Sequence, residues 1–163
     1  WSWSRGLGDV YKRQDIDKIQ KAIASYDSKN NRSEKIIINK TPFILDAYNA
    51  NPTSMGVALD SFCEKYSTNN LVILGDMFEL GKQTFTEHEN ILKKCLKLDI
   101  SNIFTIGSNF MSTKVNNKRI EKFADIEQFI VSFAKFKIHF ESVLIKGSRS
   151  MKLEKLIPFF KSL

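Results

Sequence analysis

Short aliphatic segments alternate along this chain with segments whose apolar residues recur at helical spacing. NLVILG from Asn70, NIFTIG from Asn102 and SVLIKG from Ser142 are nearly continuous apolar runs rich in Val, Ile and Leu. Strands of this composition are typical of a parallel sheet that is covered by helices on both faces. The 163 residues are enough for one such domain with a proper core. The alternation therefore predicts an α/β fold with a doubly wound, mostly parallel sheet.

Further segments complete this pattern. KIIINKTPFILDA is predicted to form two short strands around a turn at residues 40–42, and RIEKFA an edge strand. A helix over residues 53–66 would begin at an Asn51 cap, with Pro52 in its first turn. Helices are also predicted over TFTEHENILKKCLKL, over DIEQFIVSFAKF and from about Met151, with a short polar turn between NIFTIG and RIEKFA.

Composition excludes several classes of protein. No apolar run approaches the ~20 residues that span a bilayer, and the N-terminus lacks a secretion signal, so we expect a cytoplasmic protein with no membrane partner. The formal charge is +7, but the lysines are spread over solvated helix faces, which argues against a nucleic-acid partner. Cys63 and Cys95 lie among apolar residues at helical spacing and are expected to be reduced thiols. We expect a monomer.

Three polar segments, LDAYNANPTSM, GDMFELGK and IKGSRS, each follow a predicted strand. Ligands of parallel sheets bind at this edge, where loops and helix N-termini gather. In the first segment, Asp46 can accept hydrogen bonds from two ribose hydroxyls. Tyr48, Asn49 and Asn51 supply neutral donors and acceptors there. For Asn51 alone, a helix cap is the favoured interpretation.

The second segment is close to a phosphate-binding loop but does not match one. GDMFELGKQ is one residue too long for G-x-x-x-x-G-K-[ST], and Gln83 stands where the magnesium-binding hydroxyl belongs. No G-x-G-x-x-G fingerprint occurs either. Any ATP chemistry must therefore use a phosphate site outside this domain.

The two histidines give no catalytic assignment. His88 shares a predicted helix face with apolar residues, so it is either a packing residue or a site residue. His139 is expected at the surface. The sequence contains no Ser-His-Asp arrangement and no metal-ligand cluster, so no catalytic residue and no metal ligand is assigned.

LDAYNANPTSM, LVILGDMFELG with a following EH, and VLIKGSRSMKLEKL, in this order, resemble the C-terminal domain of the Mur ligases, which is Rossmann-like. The resemblance implies an ATP-dependent amide ligase of peptidoglycan synthesis that works through an acyl phosphate. The Y-N-A-N-P run resembles the corresponding turn in the family members that add D-alanyl-D-alanine to UDP-N-acetylmuramoyl-tripeptide. Those two substrates and ATP are the partners it implies, with Mg²⁺ held mainly by a preceding ATPase domain.

The resemblance also implies site residues. The ATP site would comprise Arg32, Asp46, Tyr48, Asn49 and Asn51, and the dipeptide site Asp76, Glu79, Lys146, Ser148 and Arg149. Asp76 and Glu79 would hold the amine or simply cap their loop. The Arg149 guanidinium would bind the dipeptide carboxylate through two parallel hydrogen bonds at the start of the final helix.

The resemblance further divides the chain. Residues 1–14 (WSWSRGLGDVYKRQ) lack periodicity and are interpreted as a non-native leader. Residues 15–33 are predicted to be the end of the central ATPase domain and a linker, and residues 34–163 the C-terminal domain. Such a fragment would be inactive alone.

Two alternatives to this function stay open at this point. One is the C-terminal domain of another Mur-type ligase or of a folylpolyglutamate ligase. The other is a non-enzymatic, flavodoxin-like module that binds a small anion.

Overall fold

A computed structural model of the chain describes residues 33–163. In chain order, the described elements are β1 (Glu34–Ile38), β2 (Thr41–Asp46), α1 (Pro52–Lys65), β3 (Asn70–Gly75), α2 (Thr84–Lys97), β4 (Asn102–Ile106), α3 (Ser108–Ser112), β5 (Ile120–Phe123), α4 (Ile126–Phe133), β6 (Ser142–Lys146) and α5 (Leu156–Lys161). Three 3-10 turns lie at Gly81–Gln83, Arg149–Met151 and Leu153–Lys155. The predicted leader, and the predicted end of the ATPase domain with its linker up to residue 32, lie outside the described residues.

The six strands form one sheet in the order β1-β2-β6-β3-β4-β5. β1 and β2 are an antiparallel hairpin, and every other neighbouring pair is parallel. β5 is an edge strand, as RIEKFA predicted. The mostly parallel sheet is therefore confirmed.

Alternate residues of each central strand point to opposite faces of the sheet. On β3, Leu71 and Ile73 belong to one buried cluster, together with apolar residues of α4 and α5. Val72 and Leu74 belong to the other cluster, together with residues of α1, α2 and α3. Helices thus cover both faces, which confirms the doubly wound arrangement.

The cap predicted for α1 is confirmed. The Asn51 side chain accepts a hydrogen bond from the Ser54 N–H at 2.8 Å, and the Ser54 hydroxyl lies 3.1 Å from the Asn51 N–H. This reciprocal pair is a capping box, which satisfies two backbone donors at the helix start. Pro52 occupies the first helical turn, where its missing N–H costs nothing.

The polar turn predicted after β4 was wrong in part, because α3 lies there. The Asp76 carboxylate, which follows β3, accepts hydrogen bonds from the N–H groups of Asn109 and Phe110 at 2.8 and 3.0 Å. This cap comes from another loop and not from the helix's own sequence. At Gly107, with φ of 128°, a Cβ would lie 2.3 Å from the Asp76 Cγ, so the carboxylate can approach only because this residue is glycine.

The predicted start of the final helix at Met151 was also wrong, since α5 begins at Leu156. Lys152 adopts a left-handed backbone with φ of 52° and separates two 3-10 turns. A left-handed residue cannot continue a right-handed helix. Arg149 therefore lies in a short turn and not at the N-terminus of a regular helix.

The cysteines are free thiols, as expected. Cys95 is buried and Cys63 half-buried, and burial raises the pKa of both thiols. Within residues 33–163, no helix has the length and apolarity needed to cross a membrane.

Two glycines allow a matched test of this packing. A Cβ on Gly147 would lie 2.7 Å from the Leu153 Cδ1 and 3.0 Å from the Gly75 Cα, whereas one on Gly56, inside α1, would meet only the Lys94 side chain at 3.7 Å or more. We expect Gly147→Ala to lower the free energy of unfolding by about 1–3 kcal/mol. Gly56→Ala should raise it by about 0.5–1 kcal/mol, because alanine favours helix.

Urea denaturation of both variants against the parent chain measures these changes. Equal effects of the two substitutions would contradict the close approach of Leu153 to the strand ends.

Candidate functional site

An ion pair joins the carboxyl ends of β2 and β6. The two strands are parallel neighbours, and their register sets Asp46 opposite Lys146. The Lys146 Nζ lies 2.6 Å from the Asp46 Oδ2, and the two side chains are 2% and 18% exposed. The sequence had assigned these residues to different ligands, but the structure brings them together. The ammonium of Lys146 is thus enclosed and already paired with Asp46, and its assignment to the dipeptide site stays a prediction.

Lys146 also holds the turn after β2. Its Nζ donates a second hydrogen bond to the Asn49 carbonyl oxygen at 3.2 Å. A buried ammonium requires such partners, because its desolvation costs several kcal/mol. An unpaired carboxylate at this partly buried position would be costly, and Lys146 supplies its partner. The ribose role of Asp46 stays a prediction.

A pocket of about 630 Å³ opens beside this pair. It is lined by Asn49, Phe78, Glu79, Ser148, Arg149, Ser150, Lys152 and Glu154. Four of these were predicted as site residues, three of them for the dipeptide and Asn49 for ATP. The Arg149 guanidinium lies over the Tyr48 ring, 5.3 Å from its centroid, so it is held by a cation–π contact.

A larger groove of about 900 Å³ lies on the other side of the turn. Asp46 and Asn51 line it at the strand end, and Ile44, Val57 and Leu144 form part of its apolar wall. The residues predicted to bind ATP therefore line two different cavities. Asp46 and Asn51 face the groove, while Asn49 faces the pocket. Arg32 lies outside the described residues.

Asp76 is a structural cap in this structure. It is 1% exposed, and its two oxygens accept the N–H groups at the start of α3. Burial raises the pKa of its carboxyl, while those two backbone donors oppose the rise. Of the two readings that the sequence left open, capping is supported, and Asp76 is not in the pocket that holds Glu79.

The question about His88 is resolved in favour of packing. The ring is fully buried, its Nε2 accepts the Met77 N–H at 3.0 Å, and its Nδ1 lies 2.6 Å from the Thr84 carbonyl oxygen. One nitrogen thus accepts and the other donates, which defines a single neutral tautomer. The ring also packs edge-on against Phe110. His139 is exposed, as expected.

The pocket also contains residues that sequence reasoning missed, namely Phe78, Ser150, Lys152 and Glu154. Glu154 is the most informative, because its Oε2 is enclosed and has no hydrogen-bond partner among the described residues. KLEKL was interpreted as part of a helix with a solvated charged face. No residues between 33 and 163 form a group of three or more His, Cys, Asp or Glu side chains that could hold a metal ion.

Comparison with known proteins was consistent in sequence and in structure. The family model described as Mur ligase, glutamate ligase domain, matches residues 31–149. UDP-N-acetylmuramoyl-tripeptide–D-alanyl-D-alanine ligases from Rickettsia prowazekii and Treponema pallidum are 29% and 30% identical to this chain. The matches cover 91% and 89% of the chain but 34% and 33% of those proteins, so the chain spans about a third of their length.

Solved structures agree in fold. A crystal structure of MurF from Acinetobacter baumannii is similar with a TM-score of 0.70 and 22% identity, over 92% of this chain and 34% of that one. The MurF ligase from Thermotoga maritima in complex with ADP gives a TM-score of 0.66 and 17% identity, over 85% and 32%. At these identities the likeness establishes the fold alone.

The Lys146–Asp46 pair yields a stability prediction. Lys146→Met leaves the Asp46 carboxylate partly buried without its partner and should lower the free energy of unfolding by about 3 kcal/mol. Adding Asp46→Asn removes that charge and should recover a large part of the loss. Lys35→Met, at an exposed position of β1, is the matched control and should change stability by less than about 0.5 kcal/mol.

Urea denaturation of these variants, together with the Asp46→Asn single variant that completes the cycle, gives the coupling energy of the pair. A loss for Lys146→Met as small as that for Lys35→Met would show that the pair does not stabilise the strand ends.

Proposed function

This chain belongs to the Mur ligase family, and from that premise we propose that it is the C-terminal domain of an ATP-dependent ligase that joins D-alanyl-D-alanine to UDP-N-acetylmuramoyl-tripeptide. The observation that carries the proposal is the pocket that brings Asn49, Glu79, Ser148 and Arg149 together at the carboxyl end of the sheet. It contains both a guanidinium and carboxylates, as a zwitterionic dipeptide requires. The whole-length relatives that bear this activity are about three times longer than this chain.

Arg149 is the proposed ligand of the dipeptide carboxylate. A guanidinium binds a carboxylate through two parallel hydrogen bonds, which fix its orientation as well as its position. The stacked Tyr48 ring restrains the guanidinium, so less side-chain freedom is lost on binding. Ser148 and Asn49 add neutral polar groups next to it.

The groove is the proposed contact for the nucleotide. Its polar end is formed by Asp46 and Asn51, where a ribose could be held, and its wall is largely apolar. The related Thermotoga maritima structure contains ADP, which supports nucleotide use in the family. ATP supplies the phosphoryl group that converts a carboxylate into an acyl phosphate with a good leaving group.

Magnesium does not fit the described residues, because they offer no cluster of three acidic, histidine or cysteine ligands. We propose that another domain of the intact enzyme holds it. The role of this domain is then to bind the amine substrate, align it and exclude water when the domains close. We further propose a cytoplasmic, monomeric enzyme.

The function is tested with the intact protein that contains this chain. With ATP, Mg²⁺ and UDP-N-acetylmuramoyl-tripeptide present, phosphate release should depend on D-alanyl-D-alanine. Diaminopimelate, lysine and glutamate should give no more than background release. A response to one of these amines in place of the dipeptide would favour another Mur-type ligase, and no response at all would contradict the proposed function.

Arg149→Lys tests the carboxylate contact in the intact enzyme. Lysine keeps the charge but cannot form two parallel bonds, so dipeptide binding should weaken by roughly 1–3 kcal/mol. The Michaelis constant for ATP should stay nearly unchanged, because the groove is untouched. Steady-state kinetics with each substrate varied in turn measures both effects, and an unchanged dipeptide constant in a folded variant would remove Arg149 from the site.

A further inference from the structure

One residue that lines the pocket has a carboxylate oxygen that the described residues do not satisfy. Glu154 lines the pocket, and its Oε2 is shielded from solvent without a hydrogen-bond partner. An enclosed carboxylate oxygen without a donor is costly, since that oxygen has lost water and gained no hydrogen bond in return. In native proteins most such groups have a partner, and an exception calls for an explanation.

The position of Glu154 is fixed by the packing beneath it. The preceding residue, Leu153, is fully buried, and its Cδ1 lies only 2.8 and 2.7 Å from where a Cβ on Gly75 or Gly147 would stand. The absence of side chains at these two glycines lets the Leu153–Lys155 turn lie directly on the ends of β3 and β6. Glu154 is therefore held by a rigid support and not by a mobile loop.

The charges around the pocket define the chemistry of the missing partner. Arg149 and Lys152 are cationic, while Glu79 and Glu154 are anionic. A phosphate or other pure anion would be repelled by the two carboxylates, and a metal cation by the two cationic groups. A zwitterion with separated charges satisfies both, and a dipeptide extends over roughly 7 Å between its ends.

We propose that Glu154 binds the α-ammonium group of the incoming amine substrate while Arg149 binds its carboxylate. This inference rests on the proposed function and adds to it the residue that recognises the reacting end of the dipeptide. Of the two sequence-based candidates for this role, Asp76 caps α3, and Glu79 is exposed and has a left-handed backbone with φ of 63°. Glu154 is the better acceptor, because a charge-assisted hydrogen bond strengthens where water is excluded.

The test combines a variant with a change in the ligand. In the intact enzyme, Glu154→Gln keeps the shape of the side chain and removes its charge, so the Michaelis constant for D-alanyl-D-alanine should rise roughly ten- to hundredfold. The constant for ATP should change less than about twofold. Glu64→Gln makes the same chemical change on an exposed site of α1 and is the matched control.

N-acetyl-D-alanyl-D-alanine separates ammonium recognition from general damage to the pocket. It lacks the cationic amine, so as a competitive inhibitor it should bind the wild-type enzyme at least about tenfold more weakly than the free dipeptide. Its inhibition constant should be the same for wild type and Glu154→Gln, because the acetylated dipeptide carries no ammonium group for the residue at this position to bind in either enzyme. Equal weakening of both ligands by the variant would overturn the inference, since it would indicate a structural role.

Two further outcomes have defined meanings. A wild-type enzyme without dipeptide-dependent phosphate release would overturn the proposed function, and this inference with it. A responsive wild type whose Glu154→Gln variant binds the dipeptide normally would overturn this inference alone. Thermal unfolding checks that the variant folds. If it does not, Glu154→Asp, which keeps the charge on a shorter side chain, must weaken the dipeptide more than the acetylated analogue for the inference to stand.

Discussion

The buried ion pair between Lys146 and Asp46 is the interaction on which the functional edge of this domain depends. It links β2 to β6 at the point where both strands end, and its second hydrogen bond reaches the Asn49 carbonyl oxygen. An ammonium that is 2% exposed is stable only with such partners. The Lys146 ammonium therefore connects the turn after β2 to the end of β6, where the next loop begins.

The packing around that pair extends its effect to the pocket. Gly147 directly follows Lys146. A Cβ built on Gly147 would lie 3.0 Å from the Gly75 Cα, and the Leu153 side chain packs against both glycines. Because neither glycine carries a side chain, the loop after β6 can pack directly against the strand ends. Arg149 and Glu154, five residues apart on two successive 3-10 turns, receive their positions from this contact.

The sheet was predictable from sequence because its signal is local. Each central strand is a mostly apolar run of five or six residues. The covering helices α1 and α2 each have an apolar stripe. The cap of α1 was predictable for the same reason, since Asn51 and Ser54 are three residues apart. Contacts within a few residues leave a pattern that can be read along the chain.

The parts that were missed depend on contacts between distant residues. Asp46 and Lys146 are 100 residues apart, so nothing in either motif indicates that they pair. Asp76 caps α3 from 33 residues away, and a five-residue helix has too little periodicity to be recognised without its cap. The break before α5 falls on Lys152, a residue type that does not favour a left-handed backbone. The packing role of His88 could be assigned only from the structure, in which backbone groups bond both ring nitrogens.

The shared turn also bears on the proposed function, in which one small domain contacts two substrates. The Asn49 side chain lines the pocket while its backbone carbonyl is held by Lys146, whose carboxylate partner, Asp46, lines the groove. A reaction in which an amine attacks an activated carboxylate needs the two bound groups to meet within about 3–3.5 Å. Two cavities that share one rigid turn have a fixed relation to each other, whereas cavities on independent loops would each add freedom that binding must remove. In the proposed enzyme, the ion pair would thus contribute to alignment although neither of its charges is required to touch the dipeptide.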